Sequence, residues 1–195
     1  MPAKNRDLHG SAPDQSPVAL LMIDVINDLD FPEAEQLLEF ALPMARQIAA
    51  LKVRARQHGI PPIYVNDNLG RWRSDLNAQV KHCLEDNVRG KAIVELLQPD
   101  DDDYFVIKPK HSGFFSTTLD TLLEYLGVKT VIITGVAANI CVLFTANDAY
   151  MREFEVIVPA DCIASEDAEN NRQTLALIER VLKADITPFA EVQAA

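Results

Sequence analysis

Apolar residues along this chain follow two rhythms. Short stretches at 18–23, 63–65, 104–107, 128–134 and 155–159 are apolar at most or all positions. They have strand length, and a strand apolar throughout is one covered on both faces, as in a parallel sheet flanked by helices. Between them, apolar positions recur at helical spacing. Leu37, Leu38, Ala41, Met44, Ile48 and Leu51 mark a helix over 33–58, with Pro43 either kinking it or starting a second one. Gly59 and Pro61-Pro62 stop it. Further helices are predicted over 116–126, 141–154 and 167–183, with some helix inside a long polar segment at 69–89. Residues 185–187 read as a short edge strand.

Strands and helices alternate from 18 to 187. The predicted fold is α/β, a doubly wound, mostly parallel, Rossmann-like sheet of about six strands with helices on both faces. Residues 1–16 have almost nothing to bury and read as a flexible N-terminal arm. Residues 17–195 read as one domain, which the length of 195 residues suits. Asp100 to Asp103 read as a solvated turn, since they lack the spacing and the glycine of a calcium loop.

The net charge of -11 argues against nucleic acid or an anionic membrane as a partner, because both need clustered Lys and Arg. It leaves a small-molecule substrate open. No run is long enough to span a bilayer, and the polar N-terminus is no secretory signal. The three cysteines, Cys83, Cys141 and Cys162, are widely spaced and form no C-x-x-C pair. Neither a disulfide framework nor a structural zinc site follows. A reduced, cytoplasmic setting is the expectation. Neither nucleotide-binding glycine fingerprint is present, and no cofactor is expected.

The candidate chemistry lies at strand ends. Asp24 follows the first strand, Lys108 ends the third, and Cys141 opens the helix after the strand at 128–134. In a parallel sheet these ends share one edge, where ligand sites form. A cysteine at a helix start is also favoured as a thiolate. Each residue has a plainer alternative: a turn cap, a surface charge or a core thiol. Together these explain less, because two charges end apolar strands where the chain should still be buried, and buried charges need partners.

These stretches resemble the isochorismatase-like hydrolases, the cysteine hydrolase or nicotinamidase-related superfamily. Residues 20–28 (LLMIDVIND) look like the family's first strand and its acid. Residues 108–114 (KPKHSGF) look like its lysine segment, and 135–142 (GVAANICV) like its nucleophile turn. Residues 146–149 (ANDA) and 158–162 (VPADC) match its next helix and strand. The resemblance covers 18–187 in the expected order. It implies a Cys141-Asp24-Lys108 triad, a cis peptide between Val136 and Ala137, and an oxyanion hole from the N–H groups of Ala137 and Cys141. Lys108 would lower the Cys141 pKa, Asp24 would carry protons, and a thioester would form and be hydrolysed. It also implies a homo-oligomer, a dimer or tetramer.

The chain departs from the family pattern in places. Nicotinamidases carry an Asp-x-His and a further His as metal ligands after the second strand. Here that region is Asn66-Asp67-Asn68-Leu69, and His9, His58, His82 and His111 fit no ligand spacing. No catalytic metal is expected. Isochorismatases proper, which cleave a vinyl ether, replace the cysteine, so Cys141 favours hydrolysis of a small amide, ureido or related C–N substrate. Ether hydrolysis and a non-catalytic binding role are the alternatives. Ile26 and Ala138 stand where many relatives have Gln and Thr beside the pocket. Phe31, Trp72, Phe114, Phe115 and Val136 are candidates for the pocket wall. Asn27, Arg71 and Arg73 are candidates for a polar or anionic substrate group.

Overall fold

The computed structural model describes residues 12–70, 72 and 75–191. The first strand, β1 (Val18–Ile23), lies at the centre of the sheet. Helix α1 (Ala34–Gln57) leads from it to β2 (Pro62–Asp67). Two helices, α2 (Leu76–Glu85) and α3 (Lys91–Leu96), precede β3 (Tyr104–Lys108). Helix α4 (Leu119–Leu126) leads to β4 (Thr130–Val136), and α5 (Leu143–Met151) leads to β5 (Glu155–Ile157). A short β6 (Ile163–Ala164) and α6 (Ala168–Leu182) follow. The strand order is β3-β2-β1-β4-β5, with β6 pairing to β4, and all pairings are parallel.

Why the first strand has no polar position is now plain. Ala19, Leu21 and Ile23 point to a core shared with α4, α5 and α6, whereas Leu20 and Met22 point to a core shared with α1 and α3. Alternate side chains leave a strand on opposite faces, so a doubly covered strand is apolar throughout. Pro43 lies inside a single α1 and does not start a second helix. Gly127 closes α4 at φ 79°, a left-handed cap that costs glycine little. The predicted edge strand at 185–187 is reduced to one bridge between Ile157 and Asp185, and the sixth strand is β6.

Two expectations are corrected by packing. Of the expected arm, residues 1–11 lie outside the described residues, but 12–16 are docked. Ala12 joins the core, Asp14 Oδ2 accepts from the Tyr104 hydroxyl at 2.6 Å, and the Ser16 N–H donates to Leu126 O at 3.0 Å. The four-aspartate turn is not wholly solvated either. Asp103 has a side chain 0% exposed and pairs with Lys52 Nζ at 2.6 Å and Arg56 Nη1 at 2.6 Å. Lys52 is itself buried and also donates to the Tyr64 hydroxyl at 3.0 Å. The ion pair reaches across from α1 and pins the turn before β3.

Gly135 holds β4 against β1. Its φ is +111°, and a Cβ there would lie 2.0 Å from Ile23 O, in the register pair Ile23 and Gly135. Gly135→Ala is expected to cost about 3 kcal/mol or more, because it combines a backbone region closed to side chains with a clash against main chain. Urea unfolding checks this, and a midpoint equal to that of the parent would show that β4 can shift without loss.

Candidate active site

Four strand ends build the site. β1 stops at Ile23, and Asp24 turns away with φ 51°, a left-handed conformation that Asp tolerates better than most residues. The Asp24 N–H still reaches Val65 O at 3.1 Å, and the Asp67 N–H donates to Asp24 Oδ1 at 2.6 Å. Lys108 is the last residue of β3 and the register partner of Asp67. Its ammonium is fully buried, 2.8 Å from Asp24 Oδ2 and 3.3 Å from Asp67 Oδ2. The same Nζ lies 3.6 Å from Cys141 Sγ. The structure thus brings together Asp24, Lys108 and Cys141, which are far apart in sequence.

Cys141 does not open a regular helix. It lies in a π-helical turn, Ala138–Val142, placed between β4 and α5. Such wide turns recur at functional sites, where they re-aim a side chain. The peptide bond between Val136 and Ala137, just before this turn, is cis. Thr145, one turn further on, ties two segments together. Its hydroxyl donates to Cys141 O at 2.7 Å and accepts from the Gly113 N–H at 3.0 Å. The loop after Lys108 is thereby fastened to the cysteine's own helix, and Ser112 adds a short hydrogen bond to Asp148 on α5.

A cavity of about 480 Å³ opens above these groups. Asp24, Asp67, Cys141, Val136 and Ala137 line it. Asn27, Phe31 and Leu37 come from the segment after β1 and from α1. Leu69, His111, Ile140 and the carboxylates Glu33 and Glu166 complete it. His111 also packs its ring on Phe144 at 5.4 Å. The volume suits a small ligand rather than a polymer.

Several expected wall residues lie elsewhere. Phe114 is 5% exposed and turns into the core, stacked on Phe154 at 6.1 Å, with the Arg152 guanidinium over its ring at 4.7 Å. Trp72 is 79% exposed in the loop between β2 and α2 and is not part of the cavity lining. Phe115 is likewise exposed, and Arg71 and Arg73 lie outside the described residues. Ile26 and Ala138 are fully buried core residues and do not border the cavity. Asn27 does line it, although its Oδ1 also accepts from the Leu29 N–H at 2.8 Å.

Burial dominates the electrostatics. It pushes the Asp24 carboxyl above the usual carboxylate range, against the opposing pull of Lys108, Cys141 and the Asp67 N–H. Burial works to lower the Lys108 pKa, but the charges of Asp24, Cys141 and Asp67 and the hydrogen bond to Asp24 outweigh it, and the ammonium is held charged. The Cys141 thiol is pushed up by burial and by the Asp24 charge, and Lys108 only partly offsets them. Lys108 thus acts in the expected direction, but the net shift of the thiol is upward. The site thus favours the thiol form of Cys141, beside an ammonium held charged and a carboxyl group placed to take the thiol proton.

Asp67 and Glu166 were not singled out from sequence. Asp67 carried a signal, since it ends β2 at the same sheet edge as Asp24 and Lys108. Its two oxygens are committed to Lys108 and to the Leu69 N–H at 2.8 Å. Among the described residues no group of three or more His, Cys, Asp or Glu is arranged to hold a metal ion. No helix among them is long and apolar enough to cross a membrane.

A parallel sheet with a thiol, a carboxylate and an ammonium gathered under a small cavity defines a class of small-molecule enzyme, and comparison with known proteins agrees. The isochorismatase domain model matches residues 18–192. An uncharacterized isochorismatase family protein of Bacillus subtilis, YaaI, is 48% identical over 89% of this chain and 95% of its own length. The ureidoacrylate amidohydrolase RutB of Methylorubrum extorquens is 44% identical over 36% of this chain and 28% of its own. The crystal structure of N-carbamoylsarcosine amidase from Thermoplasma acidophilum superposes with a TM-score of 0.68 at 26% identity, covering 92% of this chain and all of that one. The chain belongs to the isochorismatase family and is a hydrolase with that family's fold.

Proposed function

We propose that this hydrolase cleaves a C–N bond of a small amide or ureide by covalent catalysis, without a metal or other cofactor. The observation that carries the reading is the Lys108 ammonium, buried within reach of both Asp24 and Cys141, which line the cavity. Cys141 is the nucleophile, Asp24 the acid/base and Lys108 the fixed cation. As Cys141 Sγ attacks the carbonyl carbon, its proton passes to Asp24. The N–H groups of Ala137 and Cys141 hold the developing oxyanion. The C–N bond breaks, Asp24 returns the proton to the leaving amine, and a thioester remains on Cys141. Water then attacks the thioester carbonyl and gives a proton to Asp24, the C–S bond breaks, and Asp24 passes that proton to Sγ, which regenerates the thiol.

Two relatives support the bond type, because an amidohydrolase acting on a ureidoacrylate and an amidase acting on an N-carbamoyl compound both break a C–N bond. The cytoplasmic setting and the homo-oligomer implied by the family resemblance go with this reading. Ile140, Phe144 and Met151, all exposed near the cysteine turn and along α5, offer such an assembly a surface. The direct test is a pooled panel of small amides and ureides with intact-mass detection. An acyl or carbamoyl adduct mapping to Cys141, decaying as product forms, is the expected result. Product formation with no adduct on rapid quenching, undiminished in Cys141→Ala, would sink the covalent reading.

A further inference from the structure

The charge lining the cavity is unlike that of a carboxylate-binding site. Besides Asp24 and Asp67, two more carboxylates line the cavity, Glu33 and Glu166, and the described lining residues include no arginine and no lysine, with His111 their one basic side chain. Lys108 is 0% exposed and already shared by two carboxylates, so it is not free to pair with a substrate's own charge. An anionic group entering here meets like charge, and a cationic or N–H-rich group is drawn in.

Glu166 is held in place by amides rather than left loose. It lies between β6 and α6. Its Oε1 accepts from Asn170 Nδ2 at 2.7 Å and from Asn139 Nδ2 at 3.2 Å. Asn139 belongs to the π-helical turn of Cys141 itself. Reversing the Asn139 amide would set Oδ1 against the Glu166 carboxylate. In the observed orientation Oδ1 is instead buried with no hydrogen-bond partner among the described residues. The turn thus tolerates an unpaired buried carbonyl so that Nδ2 can reach Glu166. Both donors go to Oε1, and Oε2 has no hydrogen-bond partner among the described residues, on a side chain that lines the cavity.

We infer that Glu166 is a specificity residue, which accepts from a cationic or N–H-donating group at the far end of a small amide or ureide and disfavours substrates that end in a carboxylate. The inference rests on the cavity being the substrate site, as proposed above. It sets this chain apart from a relative acting on an acrylate, which is itself a carboxylate.

The test reads charge selection at Cys141 without needing turnover. Three methanethiosulfonates of similar size, the 2-aminoethyl cation, the methyl neutral reagent and the 2-sulfonatoethyl anion, are reacted with the full chain. Rates at Cys141 are followed by peptide mass mapping and normalised to a free thiol. Any change in thiolate fraction multiplies all three rates alike, so the cation-to-anion ratio isolates the field at the cavity. Glu166→Gln, which keeps an oxygen for both asparagine amides, is expected to lower that ratio about three- to tenfold. Glu166→Lys is expected to lower it further, and 0.5 M salt to compress the difference. A ratio unchanged within about twofold in both variants overturns the inference, as does a parent chain that prefers the anion. The two failures are separable. A ratio that follows Glu166 with no acyl adduct on any amide removes the hydrolytic reading and keeps the charge selection. Adducts on Cys141 with an unmoved ratio do the reverse.

Discussion

Cys141→Ala is expected to lower turnover by on the order of 10⁴-fold or more, and Asp24→Asn by on the order of 10³–10⁴-fold. The two losses should not add, because in the proposed mechanism thiol and carboxylate handle the same proton in one step. The double variant should be little worse than Cys141→Ala alone. Asp24 is the more informative of the two. Burial raises its pKa against the pull of Lys108, and the attack needs it ionised. The acid limb of kcat/KM should therefore lie above the ordinary Asp value of about 4, with activity lost as pH falls through it. Lys108→Arg should move this limb, because it alters the charge nearest Asp24. A pH profile flat down to pH 4, or an Asp24→Asn enzyme within tenfold of the parent, would remove Asp24 from the proton path.

The largest effect on stability is expected from Lys108→Met. The ammonium is 0% exposed and neutralises Asp24, itself 5% exposed, while also contacting Asp67. Deleting one partner of a buried ion pair strands the other, at a cost of about 3–5 kcal/mol. For a chain of this size that corresponds to a fall in Tm of roughly 6–20 °C. The sign with pH follows from linkage. Without the lysine, the folded-state pKa of Asp24 rises further above its unfolded value. A group raised in this way favours folding below the unfolded pKa, and that contribution is lost as pH rises through the folded value. The deficit should thus be largest near pH 8 and shrink toward pH 5 as Asp24 takes up a proton. Denaturant titrations at the two pH values check this, and a variant as stable as the parent at pH 8 would show that the ion pair carries no net stabilisation.

How much of this was legible in the sequence varied from residue to residue, for physical reasons. Asp24 and Lys108 could be read because an apolar run ending in a charge is a local signal, and parallel strands bring such ends together. β1 was read to its exact residues for the same reason. Asp67 sits at the same edge but is hidden in Asn66-Asp67-Asn68, where all three are polar. Only contacts tell that Asn66 braces Ile26 and that Asn68 accepts from Gly70. Phe114 was misplaced because the loop after Lys108 has no period from which a face can be read. β6, with two residues, and α3, with six, are too short to leave a pattern. The shift of the Cys141 pKa depends on burial weighed against two opposite charges, and that balance needs distances. Glu166 carries no local mark at all. Its place in the cavity depends on amides contributed by Asn139 and Asn170.

The lysine cradle has a consequence for how such a site can change. Asp24 and Asp67 grip Lys108 from β1 and β2, and the strand ends are joined through this ammonium whether or not a thiol is near. Cys141 is the peripheral member, touching the set across 3.6 Å from a separate turn. The proposed nucleophile is therefore a replaceable part mounted on a fixed charge framework. A chain of this design can lose or exchange its sulfur while keeping its shape, and so can try new chemistry without first having to learn to fold again.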